Sequence, residues 1–569
     1  MSMFNSRRVS SVVNSVLTET SRSKMEYYEN SDCYHFSDYF TLQNGYLFCE
    51  NVDVKSIKAF MEESDFETKS PVFVYSKNQI ISNIESYKET LKSINREACL
   101  NYAMKANMNP AVLELMRDRG CSVTLVSGFE LRLALRLGFE PSRIVLNGNG
   151  KQEWEIELAV ERGCLLNIDG WFNLQQTIAA CRRLKKVARV LLRINPNIDA
   201  KVHKYNTTGT SGSKFGIEMF QMSHVVEALR QEPLVHVVGV HSHLGSTITD
   251  IDVFRKSAKA MMKEFSSLKA SGFQRMKYIN LGGGLGIDYT CHASRTMKAS
   301  LKTTADFQKP IGERNATPRG IVEAIHQELA PEVSLILEPG RSLIGDAAVL
   351  LTRVLGVKHG AEKSYIVVDG SMTEVIRPAL YGAYHHIELV EPTSQIISND
   401  HVTMSSNGCP EQGVKNGVFE NEHTENRVTN SHFEQQVQND NTENRFQTVN
   451  SDNGVQYGHL EHGFEIADAQ NVQNCQQFDN IPVNVQERRV YEVVGPVCES
   501  GDFLGHDRLL ATPHEGCHLA VFHVGAYCTS MSSNYNMRPR PAELLVDGSK
   551  VRVIRQPDSF ETMLQCFNC

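Results

Sequence analysis

The stretch NYAMKAN, residues 101–107, decides the predicted fold. It ends a largely apolar run, residues 98–104, of the kind that forms a buried β-strand. Asn109 and Pro110 come next, and they suit the N-cap and the first position of a helix. Lys105 therefore lies in a loop between a strand and a helix, where a partly desolvated amine can attack a carbonyl. Taken by itself, this position is also compatible with an ordinary surface lysine.

Short apolar runs and helical patterns continue to alternate up to about residue 340. Such runs are typical of a parallel sheet that is buried on both faces. Eight units in about 240 residues favour a closed (β/α)8 TIM barrel over an open doubly wound sheet, which is the alternative. The predicted strands are 98–104, 121–126, 143–146, 164–168, 187–194, 235–241, 277–281 and 333–337. The predicted helices are 111–118, 129–137, 153–162, 171–184, 219–230, 253–270 and 321–329.

Residues that can carry chemistry follow these strands. In a barrel they would all lie on the C-terminal rim, where enzymes of this fold build their sites. Glycine and asparagine are expected at any strand end, so the charged residues carry more weight. The set comprises Lys105, Ser127, Gly128, Asn147, Gly148, Asp169, Arg193, His241, His243, Gly282, Gly283, Gly284, Glu338 and Arg341.

The pattern changes after Arg341. Runs at 348–357, 364–368, 387–390, 490–494, 518–523 and 550–554 predict a C-terminal β-rich domain. Residues 395–486 are rich in Asn, Gln, Glu and Ser and cannot bury enough apolar surface to offset their ordering entropy. We therefore predict an N-terminal extension (1–37), followed by N-terminal strands that join the β-rich domain (38–75), with a candidate strand at 46–54. The barrel covers 76–345, the β-rich domain covers 346–394 and 487–565, and the disordered insertion covers 395–486.

The composition argues against several classes of protein. The 569 residues carry a formal charge of -8, with a pI near 6.2, so there is no basic field for nucleic acid. No apolar run approaches the roughly 20 residues of a membrane helix. The 14 cysteines are scattered, which is typical of reduced thiols. We expect no metal site, no membrane or nucleic-acid partner, and no secretion.

Residues 1–24 contain Arg7, Arg8 and Arg22, many serines and a single acid, Glu19. This composition is similar to that of an organelle transit peptide, and a plain disordered tail is the alternative. We expect a cytoplasmic protein, or a plastid or mitochondrial one if residues 1–24 target the chain.

The glycine run at 282–284 follows the seventh predicted strand. Such a run lets backbone N–H groups approach an anion, as in a phosphate site. It lacks the Lys-Ser/Thr pair of a nucleotide-binding P-loop. A phosphate site of this kind, together with a separate lysine on the rim, indicates pyridoxal phosphate rather than ATP.

A site for pyridoxal phosphate needs an amine to bond its aldehyde and an anion site for its phosphate. It also needs a carboxylate for the ring nitrogen, a flat side chain that stacks on the ring, and a further side chain that closes the pocket. We expect Lys105 to bond the cofactor's aldehyde, Glu338 to face the ring nitrogen and His243 to stack on the ring. Tyr527 would reach in from the second domain. Taken singly, these residues are compatible with a surface glutamate, a core histidine and a packing tyrosine. The expected phosphate contacts are Ser246, Gly282, Gly283 and Gly284.

Nine blocks of sequence carry a family resemblance. They are YAMKAN (102–107), VSGFELRLAL (126–135), RINPNIDAKVHKYNTTGTSGSKFGI (193–217), HSHLGSTIT (241–249), NLGGGLGIDY (280–289), EPGRSLI (338–344), VDGSMTEVIRPALYGAYHHIELV (368–390), VVGPVCESGDFLG (493–505) and GAYCTSMSSNYNMRP (525–539). Together they resemble the diaminopimelate decarboxylases, especially the plant-type members. These are pyridoxal-phosphate enzymes with an alanine-racemase-like fold (fold type III). The resemblance spans about residues 40–394 and 487–560.

The resemblance implies further roles. Lys105, His243 and Cys498 would be the catalytic residues, with Cys498 as the proton donor. Glu499 would bind the distal amino group of the substrate. The family forms homodimers in which the Cys498–Glu499 loop enters the partner's site. The implied substrate-binding residues are Arg341, which also contacts the cofactor, Arg377, Tyr381, Glu499 and Tyr527.

The implied function is decarboxylation of meso-diaminopimelate to L-lysine and carbon dioxide, the last step of lysine biosynthesis. An ornithine or arginine decarboxylase is the alternative enzyme, although that resemblance would give Cys-Asp rather than Cys498-Glu499. A catalytically silent binding homologue is the other alternative. The sequence departs from the family at Ser242, where cysteine is usual, at Phe129, where many bacterial members have glycine, and in the 395–486 insertion.

Overall fold

The computed structural model describes residues 33–200, 202, 209, 213–289, 316–392 and 488–567. Eight parallel strands in this part of the chain close into a barrel in chain order. The last strand pairs with the first, with Leu335 opposite Ala98, so the closed barrel is confirmed and the open sheet is wrong. The barrel strands are Ala98–Ala103, Ser122–Leu125, Val145–Leu146, Leu165–Ile168, Ala188–Arg193, Val235–His241, Tyr278–Asn280 and Ser334–Leu337.

Helices connect the barrel strands, with bounds close to the predicted ones. Asn109 caps the first, and its Oδ1 accepts a hydrogen bond from the Ala111 amide at 3.0 Å. Pro110 occupies the first position, where the missing N–H costs nothing. The predicted helix at 219–230 begins with a separate 3-10 turn, Met219–Gln221. The helices are Lys77–Ser93 before the barrel, then Pro110–Asp118, Gly128–Arg136, Glu153–Arg162, Trp171–Leu184, Met222–Arg230, Ile251–Ala270 and Pro318–His326.

The apolar side chains of the barrel strands belong to two separate hydrophobic cores. The larger core joins strands to helices and extends into the second domain. A separate cluster of buried residues comes from barrel strands without any helix residue, which indicates that it fills the barrel interior. Its members are Val145, Leu165, Leu191, Val238 and Ile336.

The second domain is built on a nine-stranded sheet. Its long central strand, Ala348–His359, pairs with three others, and one of these is Val72–Ser76 from before the barrel. Ser76 ends that strand and caps the next helix, since its Oγ accepts from the Gln79 amide at 3.0 Å. The chain thus passes directly from the sheet into the barrel. The other strands are Ser364–Val368, Ile387–Leu389, Arg488–Val494, Phe503–Ala511, His518–Phe522, Ala542–Asp547 and Lys550–Arg555.

The N-terminal strands differ from the expected pairing. The candidate strand at 46–54 was expected to extend the β-rich domain, but Tyr46–Cys49 pairs with Phe40–Gln43 and Val52–Asp53 in a separate four-stranded sheet. Tight turns between these short strands favour local pairing. The small sheet also contains Cys33–His35.

Two sequence predictions fall outside the described residues. These are the targeting or disordered character of residues 1–24 and the insertion at 395–486. Among the helices that the structure describes, none has the length and apolarity to cross a membrane.

Candidate active site

A cavity of about 450 Å³ lies at the C-terminal end of the barrel. Its wall comes from loops that follow the barrel strands, together with Tyr527 from the second domain. The structure brings most of the expected cofactor residues to this wall, although Gly282 does not line the cavity. Those that line the cavity are Lys105, His243, Ser246, Gly283, Gly284, Glu338, Arg341 and Tyr527.

Lys105 is held on a short 3-10 turn, Met104–Ala106, directly after the first barrel strand. Its side chain is exposed to the cavity, whereas the sequence argument expected partial desolvation. The turn itself is fixed by the second domain, because the Tyr527 amide donates to the Ala106 carbonyl oxygen at 2.8 Å. Ser530 Oγ donates to the same oxygen at 3.2 Å. The lysine therefore projects from an anchored backbone.

Glu338 comes just after the last barrel strand, which pairs with the first, and is 6% exposed. Asn280 Nδ2 donates to its Oε1 at 2.6 Å, and His241 Nε2 lies 3.5 Å from its Oε2. Burial raises the pKa of Glu338, but His241 and Asn280 outweigh it and lower the pKa to about 2. The carboxylate is therefore ionised at neutral pH.

His241 faces this carboxylate and is itself buried. Asn167 Nδ2 lies 2.6 Å from His241 Nδ1 and can only donate, so Nδ1 accepts and the ring proton is on Nε2. Burial lowers the pKa of His241, with Glu338 acting in the opposite direction. We conclude that His241 is a neutral donor rather than a cation. Asn167 and Asn280, neither singled out from the sequence, thus set the charge state of this end of the cavity.

His243 lies against the glycine loop. Its Nδ1 accepts from the Gly283 amide at 3.3 Å, while the Gly282 amide donates to Asn280 Oδ1 at 2.9 Å. Burial, and then the positive charge of Lys105, lower the pKa of His243 well below its usual range. The ring is therefore neutral.

The loop requires glycine for reasons of space. A Cβ on Gly283 would lie 2.2 Å from the Glu338 carbonyl oxygen, and one on Gly284 would lie 2.6 Å from the Gly245 carbonyl oxygen. Gly284 also has φ +114, a conformation that other residues rarely adopt. Glycine at these positions therefore lets the loop pack against the backbone of Gly245 and Glu338.

Arg193 forms another part of the wall. It bonds Asp169 at 3.0 Å, and the guanidinium packs 4.5 Å from the centre of the Phe215 ring. Asp169 Oδ2 also accepts from the Gly216 amide at 3.2 Å. This buried ion pair joins two of the rim residues that the sequence singled out without a role.

Arg341 connects the cavity to a second cation. Its Nε and Nη2 lie 3.3 and 3.1 Å from Ser246 Oγ, and its Nη1 lies 2.7 Å from Tyr289 OH. Arg377, 3% exposed, donates to the same phenol oxygen at 3.0 Å. Arg377 and Tyr289 do not line the cavity but lie beside Arg341. Tyr289 closes the NLGGGLGIDY block, the signal that could have identified it.

Three expected residues lie away from the cavity. Cys498 and Glu499 are exposed on the loop before Phe503–Ala511, and Tyr381 ends the short helix Arg377–Tyr381. None of them lines the cavity. The Cys498 amide donates to Asn536 Oδ1 at 2.9 Å, which fixes its loop at the surface.

Comparison with known proteins agrees with this architecture. Residues 77–345 match the pyridoxal-binding domain of pyridoxal-dependent decarboxylases, and residues 437–525 match their C-terminal sheet domain. A probable chloroplastic diaminopimelate decarboxylase from Oryza sativa subsp. japonica is 36% identical, over 92% of this chain and 84% of its own length. The diaminopimelate decarboxylase of Aquifex aeolicus is 30% identical, over 93% of this chain and 97% of its own.

Solved structures give the same picture. The diaminopimelate decarboxylase of M. jannaschii, in complex with L-lysine, superposes with a TM-score of 0.67 at 26% identity. The alignment covers 93% of this chain and 97% of that one.

Proposed function

The chain belongs to the diaminopimelate decarboxylase family, and we propose that its barrel cavity removes one carboxylate from meso-diaminopimelate to give L-lysine and carbon dioxide. Pyridoxal phosphate is the cofactor. One observation carries the assignment to this cavity. Lys105 and the ionised Glu338, from the first and last barrel strands, line one cavity together with the glycine loop.

The residues present fit this cofactor. Gly283 and Gly284 line the cavity and carry no side chain, so their backbone is open to a phosphate on the cavity side. The amides of Gly282 and Gly283 already donate to Asn280 and His243, so we assign the anion contact to Gly284 and Ser246. Ser246 is backed by the Arg341 guanidinium, which supplies positive charge.

When bound, the cofactor supplies an electron sink for the pair of electrons that the departing carbon dioxide leaves behind. Lys105 would provide the amine that holds its aldehyde. Glu338 is ionised, so it would face the ring nitrogen and favour a proton there. Neutral His243 offers a flat face to the ring without adding a competing positive charge.

Substrate choice follows from Arg341 and Arg377. Their guanidiniums converge on Tyr289 OH and can receive a carboxylate that is retained in the product. Ornithine has a single carboxylate, the one that leaves, and so has no use for this pair. An assay with cofactor-saturated protein should release carbon dioxide and lysine from meso-diaminopimelate. Faster turnover of ornithine or arginine would contradict the assignment, and cofactor binding without any turnover would support a silent homologue.

The proton donor is Cys498, and we infer that it acts in the cavity of a second copy, since it is exposed outside its own. Mixing Lys105→Ala and Cys498→Ala proteins tests this homodimer. Each variant alone should be inactive, while a mixed dimer keeps one intact site, which gives about a quarter of wild-type activity in a random mixture. No recovery after mixing would place Cys498 elsewhere.

We infer that residues 1–24 direct the chain to an organelle. Their arginine and serine content and the chloroplastic name of the rice relative support this. Residues 1–37 fused to a fluorescent protein should accumulate in plastids or mitochondria. A diffuse cytoplasmic signal would contradict the inference.

A further inference from the structure

Tyr289 lies between two guanidiniums. Arg341 Nη1 and Arg377 Nη1 lie 2.7 and 3.0 Å from its phenol oxygen. A guanidinium can only donate hydrogen bonds, so the phenol oxygen accepts both. Its own proton is then left for a further acceptor, and we find none among the residues that the structure describes. Tyr289 is partly exposed and lies against Arg341, which lines the cavity.

The two guanidiniums are fixed from behind. Arg341 is tied to Ser246 at 3.1 Å. Arg377 Nη1 lies 2.8 Å from His385 Nε2, and His385 Nδ1 lies 2.8 Å from the Phe522 carbonyl oxygen. A carbonyl accepts, so Nδ1 carries the ring proton and Nε2 accepts from Arg377.

The charge state of His385 agrees with this arrangement. Burial, and then the charge of Arg377, lower the pKa of His385 well below its usual range, so the ring is neutral. The Tyr289 ring meets the His385 and His523 rings edge-on, at centroid distances of 5.3 and 5.6 Å. The hydroxyl is therefore held in a defined position between the two cations.

We propose that Tyr289 is a substrate-binding residue whose hydroxyl is the third donor to the carboxylate that Arg341 and Arg377 receive. This inference rests on the proposed function. A carboxylate offers about four lone-pair sites, so it can accept from both guanidiniums and from the hydroxyl between them. Two cations alone attract any anion, whereas a fixed hydroxyl adds direction and favours a planar carboxylate.

The test is Tyr289→Phe, which keeps the ring and removes the hydroxyl. Calorimetry with cofactor-saturated protein would measure the affinity for L-lysine, which has the retained carboxylate, and for cadaverine, the diamine that lacks it. We expect lysine to bind about tenfold more weakly, as for the loss of a hydrogen bond to a charged group, with cadaverine unchanged. The KM for meso-diaminopimelate should rise by a similar factor with little change in kcat.

Tyr278→Phe is the matched control, because Tyr278 begins a barrel strand at the end opposite the cavity. It should leave both affinities unchanged. Two results would overturn the proposal: equal loss of lysine and cadaverine binding in Tyr289→Phe, or a lysine affinity within twofold of wild type. The proposed function would still stand if the wild-type protein decarboxylates meso-diaminopimelate. A wild-type protein that neither binds lysine nor decarboxylates meso-diaminopimelate would overturn both.

Discussion

Asn280 Nδ2 lies 2.6 Å from Glu338 Oε1, at the ends of the seventh and eighth barrel strands. The same asparagine receives the Gly282 amide through its Oδ1 at 2.9 Å. One side chain thus positions both the carboxylate and the glycine loop of the proposed cofactor site.

Glu338→Gln removes the charge and keeps the shape. We expect kcat to fall by about a hundredfold, because the ring nitrogen loses the group that keeps it protonated. Cofactor affinity should fall much less, and steady-state kinetics with a cofactor titration would show the difference. Glu97→Gln is the control, since Glu97 pairs with Lys277 at the opposite end of the barrel. Retention of full kcat in Glu338→Gln would contradict the role of Glu338.

The barrel could be predicted from the sequence because each of its strands is a short apolar run between amphipathic helices. Two strands of the second domain were missed for identifiable reasons. Phe503–Ala511 contains a glycine and a run of polar residues, His506 to Arg508, so it lacks a clear strand pattern. Ala542–Asp547 contains a buried glutamate, Glu543, which a strand pattern does not anticipate.

The sequence could predict those site residues whose chemistry follows from the residue type and its position in the chain. Lys105 and Glu338 stand at strand ends, which places them on one rim. Residue type and strand position could not assign a role to Tyr289 or His385, because their importance depends on contacts with distant residues. His385, for example, is oriented by the backbone of Phe522, 137 positions away.

Gly284→Ala should weaken cofactor binding. Its Cβ would lie 2.6 Å from the Gly245 carbonyl oxygen, at a backbone conformation that alanine adopts at a cost of about 1–3 kcal/mol. Gly272→Ala is the matched control, since φ there is +104 and a Cβ meets open space. Both variants should lower the free energy of unfolding, but only Gly284→Ala should lower cofactor affinity in an absorbance titration. Equal cofactor affinities would show that the loop does not approach the phosphate.

Asn107→Ala should loosen the turn that carries Lys105. Asn107 Nδ2 donates to Tyr75 OH at 3.0 Å and to the Gly525 carbonyl oxygen at 3.2 Å, so it joins barrel and sheet. We expect a loss of about 2–3 kcal/mol in unfolding free energy together with weaker cofactor binding. Asn101→Ala, which removes two buried hydrogen bonds lower on the same strand, should lower stability alone. Unchanged cofactor affinity in Asn107→Ala would refute the anchoring role.

We expect the stability of the folded protein to depend on pH because of Asp346. Burial raises its pKa from 3.8 to about 6, although Asn83 Nδ2, 2.7 Å away, acts in the opposite direction. A raised carboxyl pKa means that the folded state holds the proton more tightly than the unfolded state. The contribution of Asp346 to the free energy of unfolding is therefore complete below about pH 3.8, and it is lost as the pH rises to about 6 and above.

Asp346→Asn should remove this dependence. The variant should gain roughly 3 kcal/mol in unfolding free energy relative to wild type between about pH 4 and about pH 7. Denaturant unfolding at both pH values measures the change. A difference between the two proteins that stays constant with pH would contradict the raised pKa.

The most direct test is to identify the residue to which the cofactor is attached. Borohydride reduction of the cofactor-loaded protein fixes the bond between the cofactor's aldehyde carbon and an amine, and peptide mass spectrometry then locates it. The account predicts a pyridoxyl group on Lys105, and none on that peptide in Lys105→Ala. Labelling of another lysine in the wild-type protein, or no labelling at all, would contradict it.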